Sequence, residues 1–217
     1  MPDIFDEVEE DLRADRAHAL LKRYGGALIG AAVLVVVAAG AWRAWEWYDS
    51  RQVAAIADTY LAAMQTAETE KGPPRQAAAA QFAQVAAKGR AGYRALARLQ
   101  EAGLKADAGR MAEADALWQQ VANDGDADPL LRDLANLQWA IHNVDHGDPG
   151  QVAARLGGLS LAGSPFRPIA QEALAMLDLR QGKTAAARTV LEQLMQDVTV
   201  APGVRRRAQG LLARIGT

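Results

Sequence analysis

Residues 102–114, AGLKADAGRMAEA, and residues 175–187, AMLDLRQGKTAAA, align without a gap at an offset of 73. Each has alanine and leucine two positions apart (Ala102 and Leu104, Ala175 and Leu177), then a glycine followed by a base (Gly109-Arg110, Gly182-Lys183). Each then has small residues beyond the break (Ala112 and Ala114, Ala185 and Ala187). Glycine takes the left-handed conformation that ends a helix without a Cβ penalty. Both stretches therefore read as helix, turn, helix. Gly72 and Gly147, also at short polar breaks, complete a series with separations of 37, 38 and 35 residues. Repetition on that scale marks arrays of helix pairs, in which no pair buries its apolar face alone.

Working outward, the region from Asp49 onward is all-α. β-branched runs with period two are missing, and Ala, Leu, Gln and Arg, all good helix formers, dominate. First helices are predicted near 50–70, 91–107, 129–145 and 165–180, with partners near 74–88, 110–123, 149–160 and 183–197. Asp128-Pro129, Asp148-Pro149 and Ser164-Pro165 each join an N-cap residue to a proline in the first turn. In the last pair Phe166, Ile169, Ala170, Ala173 and Leu177 form one apolar stripe. A final helix near 202–215 opens at Pro202 and carries Arg205, Arg206, Arg207 and Arg214. An atypical polar last helix closes the open end of a stacked array.

These repeats resemble tetratricopeptide repeats, in which small side chains let paired helices approach closely. Counted from the turn glycine, the small position of the first helix holds Ala102, Ala140 and Ala175. That of the second helix holds Ala114 and Ala187, with Val152 in the third unit, and a bulky residue follows four later at Trp118, Leu156 and Leu191. The positions usually aromatic in the first helix depart from the pattern, holding Arg98, Asn136 and Gln171, or Lys105, Asn143 and Asp178. The implied fold is an α-solenoid of about four helix pairs over residues 49–217, closed by a C-terminal capping helix.

Ahead of the array lies an uncharged run, GGALIGAAVLVVVAAGAW at residues 25–42, trailed by Trp45, Trp47 and Tyr48. Eighteen helical residues reach about 27 Å, close to the roughly 30 Å hydrocarbon core of a bilayer. The aromatic cluster suits the headgroup level. A single transmembrane helix is expected over residues 24–48. Residues 1–23 form a tail in which Phe5, Val8, Leu12 and Ala19 fall at helical spacing. Arg13, Arg16, Lys22 and Arg23 precede the span, whereas only Arg43 and Arg51 follow it over a similar distance. That bias favours a cytoplasmic N-terminus. Two other readings stand beside the anchor: a signal peptide cleaved near Ala39-Gly40-Ala41, and a core helix, which an all-round apolar run fits less well.

The formal net charge of −2 gives no argument for nucleic acid, which calls for a basic stripe. The chain has no cysteine, which excludes disulfides, thiol catalysis and thiolate metal sites. Gly25-Gly26 and Gly157-Gly158 lack the lysine, serine and strand context of a phosphate loop. His142 and His146 are four apart near Asp145 and Asp148, a spacing that suits zinc on one helix face. The same pair also suits a helix C-terminus, where a cation meets the negative end of the dipole. No catalytic, cofactor or metal residue is assigned, and no small-molecule substrate is expected. Trp118 and Trp139 read as core residues between paired helices, with interface anchors the other option, and Arg205–Arg207 as a solvated helix end.

The order along the whole chain is an acidic N-terminal stretch, a span ending in Trp42, Trp45 and Tyr48, and an alanine-rich array. A closing Ser164-Pro165-Phe166-Arg167 with Ala170 through Leu174 follows, before a short last helix. It resembles the bacterial ancillary SecYEG translocon subunit family, the YfgM-like proteins. The resemblance implies a single-pass inner-membrane protein with a periplasmic repeat domain, partnered by the Sec translocon and a membrane-anchored periplasmic chaperone. The expected function is a non-enzymatic adaptor that holds proteins at the outer face of the membrane. The alternative is a self-associating, envelope-organising protein without client binding.

Overall fold

The structure is a computed structural model that describes residues 4–69 and 72–216. Among these residues it is all-α: α1 (Ile4–Thr69), α2 (Pro73–Lys88), α3 (Ala91–Asp107), α4 (Met111–Ala122), α5 (Pro129–Asn143), α6 (Pro149–Leu159), α7 (Arg167–Arg180), α8 (Thr184–Gln196) and α9 (Pro202–Ile215). From α2 onward the helices match the spans expected from the repeat within a few residues. The N-terminal region differs. Instead of a tail helix, a span and a separate first repeat helix, one helix runs from Ile4 to Thr69. The cause is local, because no proline interrupts the chain between Ile4 and Gly72. The side chains of Phe5, Val8, Leu12 and Ala19 lie outside the described set.

The chain divides into two compact units, Met1–Ala54 and Ala55–Thr217. In the first, the apolar run stays uncovered. Val33 to Val37 are 57–70% exposed, and Trp42 and Trp45 are 77% and 78% exposed. A buried core helix would hide these side chains, so that rival reading is set aside. The segment Ile29–Thr69 contains a window apolar enough to cross a bilayer. Five consecutive large apolar residues facing solvent make a surface that water-soluble monomers avoid. Below them Arg43 pairs with Glu46 at 2.9 Å, and the Arg51 guanidinium lies 3.9 Å from the Trp47 ring centre.

The second unit is a stack of helix pairs. Successive helices pack as antiparallel neighbours, and α3 touches α5, α5 touches α7, and α7 touches α9. No such contact links α4, α6 and α8 among the described residues. The row of first helices is therefore the closer-packed, inner layer. Three continuous cores fill the spaces: Ala63, Phe82, Val85 and Ala97 at the start, Trp118, Ala140 and Leu156 in the middle, and Ala175, Leu191 and Val204 at the end. Ala102, Ala140, Ala175, Ala114, Ala187 and Val152 are all fully buried, as are Trp118, Leu156 and Leu191. The small residue admits the neighbouring helix, and the large residue one turn later fills the space left beside it. Full burial of each large apolar side chain stabilises by about 1.5–3 kcal/mol. Trp139 is also core, 5% exposed under the Arg155 guanidinium.

The turns explain the register. At Gly109 (φ 76°) and Gly182 (φ 75°) the same motif recurs. Arg110 N–H donates to Lys105 O and Gly109 N–H to Ala106 O, while Lys183 N–H donates to Asp178 O and Gly182 N–H to Leu179 O. This six-to-one plus five-to-two pattern satisfies the last carbonyls of α3 and α7. Gly147 was expected to work likewise but does not have positive φ. It is needed for space instead: an added Cβ would lie 2.8 Å from the Asn143 carbonyl oxygen. Asp128 Oδ1 accepts from Leu130 N–H at 2.7 Å and Asp148 Oδ1 from Gln151 N–H at 2.8 Å, as their placement ahead of proline foretold. Ser164-Pro165 does not open α7. Ser164 Oγ accepts from Phe166 N–H at 3.2 Å in a preceding turn, and the helix starts at Arg167 with Pro168 in its first turn. The chain reaches that turn through Gly163 (φ 92°).

Two substitutions of one type should act in opposite directions. Gly182→Ala forces a Cβ into the left-handed region and should lower stability by about 1 kcal/mol or more. Gly103→Ala lies inside α3, where an added Cβ meets nothing within 4 Å, and should raise stability by about 0.5–1 kcal/mol. Thermal unfolding followed by circular dichroism checks both signs.

Candidate functional site

Positions on the inner layer follow the turn glycine as regularly as the core does. Six residues before it stand Gly103, Ile141 and Met176, and three before it Ala106, Val144 and Leu179. In the last units these residues form an open groove. One cavity of about 320 Å³ is lined by Ile141, Val144, Ile169, Ala173 and Met176, with Glu172 and Arg207 at its edge. A second, of about 330 Å³, continues from Met176 to Leu179, Leu211 and Ile215, edged by Asp145, Arg180 and Arg214. Because Met176 belongs to both, the groove runs along α7 with α5 and α9 as its walls.

Polar contacts hold the walls in place. Glu172 is 5% exposed, and its two oxygens accept from Arg207 Nε at 2.7 Å and Nη2 at 2.6 Å. The hydrogen bond to Glu172 raises the Arg207 guanidinium above its usual pKa. This fork joins α9 to α7 across the first cavity. Arg180 Nη1 donates to the Val144 carbonyl at 2.9 Å, tying α7 to the end of α5. The bidentate pair fixes orientation as well as distance.

Four of the six positions where the repeat usually carries aromatic rings, Arg98, Lys105, Asn136 and Asn143, hold polar contacts to neighbouring segments. Lys105 bridges Glu101 at 3.1 Å and Glu113 at 2.7 Å, and the bond to Glu113 raises its ammonium pKa. Asn143 donates to Asp115 Oδ1 at 2.8 Å. Asn136 Oδ1 accepts from Arg155 at 3.1 Å, and burial lowers the Arg155 pKa. Arg98 reaches Asp124 at 3.5 Å, beside the Arg94 fork whose hydrogen bond holds the Asp124 carboxyl below the usual range. Hydrogen bonds at these sites stand in for ring stacking.

The chain matches the tetratricopeptide repeat-like domain family over residues 18–198. It belongs to that family. The match takes in the apolar run as well as the array up to α8. No curated protein and no solved structure matches the chain. Within this tetratricopeptide repeat-like domain, His142 and His146 do not share a helix face. α5 ends at Asn143, and exposed His146 lies in the turn beyond it. His142 Nδ1 is 2.9 Å from the Gln138 carbonyl oxygen, and its ring packs 4.7 Å from the Trp118 ring centre. Asp148 is committed to capping α6. Among the described residues no group of three or more His, Cys, Asp or Glu is close enough together to hold a metal. Arg207 of the basic cluster is exposed at the helix end, as expected, and also serves as the partner of Glu172. The domain's inner surface thus offers an apolar trough edged by arginines, suited to holding another polypeptide.

Arg207→Met keeps the apolar stem but leaves the Glu172 carboxylate buried without its fork. A loss of about 1–3 kcal/mol is expected, below the value for a fully buried pair because Arg207 is 56% exposed. The double variant Glu172→Gln/Arg207→Met should recover part of it in thermal unfolding.

Proposed function

We propose that the chain is a membrane-anchored adaptor. Residues 24–48 span the inner membrane once, the N-terminal tail lies in the cytoplasm, and the tetratricopeptide repeat-like array holds protein partners at the periplasmic face. The observation that carries this reading is the joining of an uncovered apolar run, Val33 to Val37, to an array with an open groove on its inner layer. The Lys and Arg excess ahead of the run supports the orientation. Helix-pair arrays bind extended or helical segments along their inner surface. Confinement to the membrane raises the effective concentration of the domain near any partner there, so modest intrinsic affinity suffices.

The partners proposed are the Sec translocon and a membrane-anchored periplasmic chaperone, which the resemblance to the ancillary SecYEG subunit family names. The domain's role is then to assist secreted chains as they emerge. Protease added to intact spheroplasts should degrade the array while the membrane is sealed. Untreated spheroplasts, solubilised in mild detergent and purified through a tag on this chain, should yield translocon or chaperone subunits. Protection of the array reverses the orientation, and recovery of neither class of subunit removes the translocon assignment.

A further inference from the structure

Antiparallel packing sorts the turns of the array onto two edges. The glycine turns at 108–110, 144–148 and 181–183 lie on one edge, and the connections 89–90, 123–128, 160–166 and 197–201 lie on the other. The edges differ in what they show to solvent. Leu130 at the start of α5 is 49% exposed, Leu161 in the α6–α7 connection 65%, and Val198 in the α8–α9 connection 81%. Exposed Met195 stands in the last turn of α8, beside Val198. Among the described residues no large apolar side chain is exposed at a glycine turn, where Arg110, Asp145, His146 and Lys183 stand instead. Single exposed hydrophobic residues are ordinary on a protein surface. Three successive connections that each bear one, all on the same edge, form a pattern.

The carboxylates of that edge are engaged within the chain. Arg94 donates to both oxygens of Asp124 at 3.0 and 3.3 Å and pairs with Asp126 at 3.5 Å. Asp128 caps α5, and Asp197 Oδ1 accepts from Thr199 N–H at 2.9 Å and from its hydroxyl at 2.6 Å. The same edge receives the chain from the apolar run. Arg75 Nε, near the start of α2, donates to the Ala67 carbonyl at 3.1 Å, while Ile56 lines a hollow with Val85 and Lys88 at the end of α2. Ala55, where the second unit begins, is therefore level with the 89–90 connection. Tyr48, the last of the aromatic cluster, comes only seven residues earlier, about 10 Å at the helical rise. The headgroup layer on one side of a bilayer is of similar depth, roughly 5–8 Å.

We infer that this edge of the array dips into the headgroup region of the bilayer, with Leu130, Leu161 and Val198 as its points of contact. This rests on the anchor in the adaptor reading and adds a second, apolar attachment to lipid. Connectivity selects the occupant, because the chain leaves the span within reach of this edge. A fluid surface also accepts separate side chains at turn tips, as apolar residues enter an interface beside polar ones. The connections hold four aspartates and one arginine, so anionic headgroups offer no attraction and the contact is apolar. None of the three side chains lines the groove along α7. The array thus touches lipid with one surface and keeps another for a protein.

The test uses the full chain, one copy per phosphatidylcholine nanodisc. The chain has no cysteine, so Leu161→Cys, Val198→Cys and, on the other edge, Gln181→Cys each place one fluorophore. Lipid spin-labelled at the headgroup should quench the probes at 161 and 198 by at least half, and the probe at 181 by less than a tenth. Added phosphatidylglycerol or higher salt should leave these values unchanged, since screening acts on charges and not on apolar contact. Leu161→Asp should at least halve the quenching at 198. Circular dichroism confirms that each variant is folded, and Leu161→Ser replaces Leu161→Asp if that chain does not fold.

Absence of quenching at 161 and 198 overturns the inference, as does equal quenching at 181. Quenching that rises with phosphatidylglycerol and fades with salt overturns it in favour of an electrostatic contact. Shielding of the 198 probe from iodide only in discs that hold two copies assigns the edge to a second copy instead. A chain that does not enter discs contradicts the anchor and the edge together. Intact co-purification without quenching removes the edge alone, and quenching without co-purification removes the translocon and chaperone partners alone.

Discussion

Close approach of helices through alanine is the constraint on which the rest of this molecule depends. With Ala102, Ala140 and Ala175 fully buried on first helices, and Ala114 and Ala187 on second helices, each hairpin closes tightly. The volume missing at alanine is supplied one turn later by Trp118 or Leu191, while in the third unit Leu156 follows Val152. Interiors pack at crystal-like density, so small and large positions must alternate in step. The same register carries outward. Once the alanine seven before each turn glycine faces the neighbouring helix, the residues six and three before it face the inner surface. Thus one packing rule places Ile141, Val144, Met176 and Leu179 along a shared groove.

Polar groups refine what packing begins. In place of aromatic rings this chain uses Lys105 with Glu113, Asn143 with Asp115, and Asn136 with Arg155 to lock helix against helix. Directional contacts of this kind penalise a slipped register, since each slip leaves a polar group without its partner. The Glu172–Arg207 fork does the same for α9, which closes the last core with Val204 and Ala208 and also forms a wall of the groove. Array stability and groove shape are therefore governed by the same side chains.

Most of the architecture was legible in the residues. Glycine spacing set the period, aspartate before proline set the starts of α5 and α6, and the alanine pattern located the buried faces. Three features were hidden for physical reasons. Gly147 has the spacing of a left-handed turn, yet the tight return onto Asn143 is a matter of space that spacing alone does not reveal. Ser164-Pro165 has the composition of a helix start, but Gly163 redirects the chain and moves the start beyond Phe166. His142 and His146 look like a pair only if α5 continues past Asn143. The groove itself was missed because its signal lies across repeats: Ile141 and Met176 are unremarkable alone, and meaningful only as the same position in successive units. The partner of Glu172 was equally hidden, since thirty-five residues separate it from Arg207.

The packing rule is tested most directly by enlarging a single alanine at a buried and at an exposed site. Thermal unfolding of the full chain in detergent would compare Ala140→Leu, at a fully buried position, with Ala154→Leu on the exposed side of α6. Overpacking should cost the first variant about 1–3 kcal/mol, while the second should stay within about 0.5 kcal/mol of the parent. Equal stability of the two variants would contradict the account, because it would mean that the helices do not meet through alanine at Ala140.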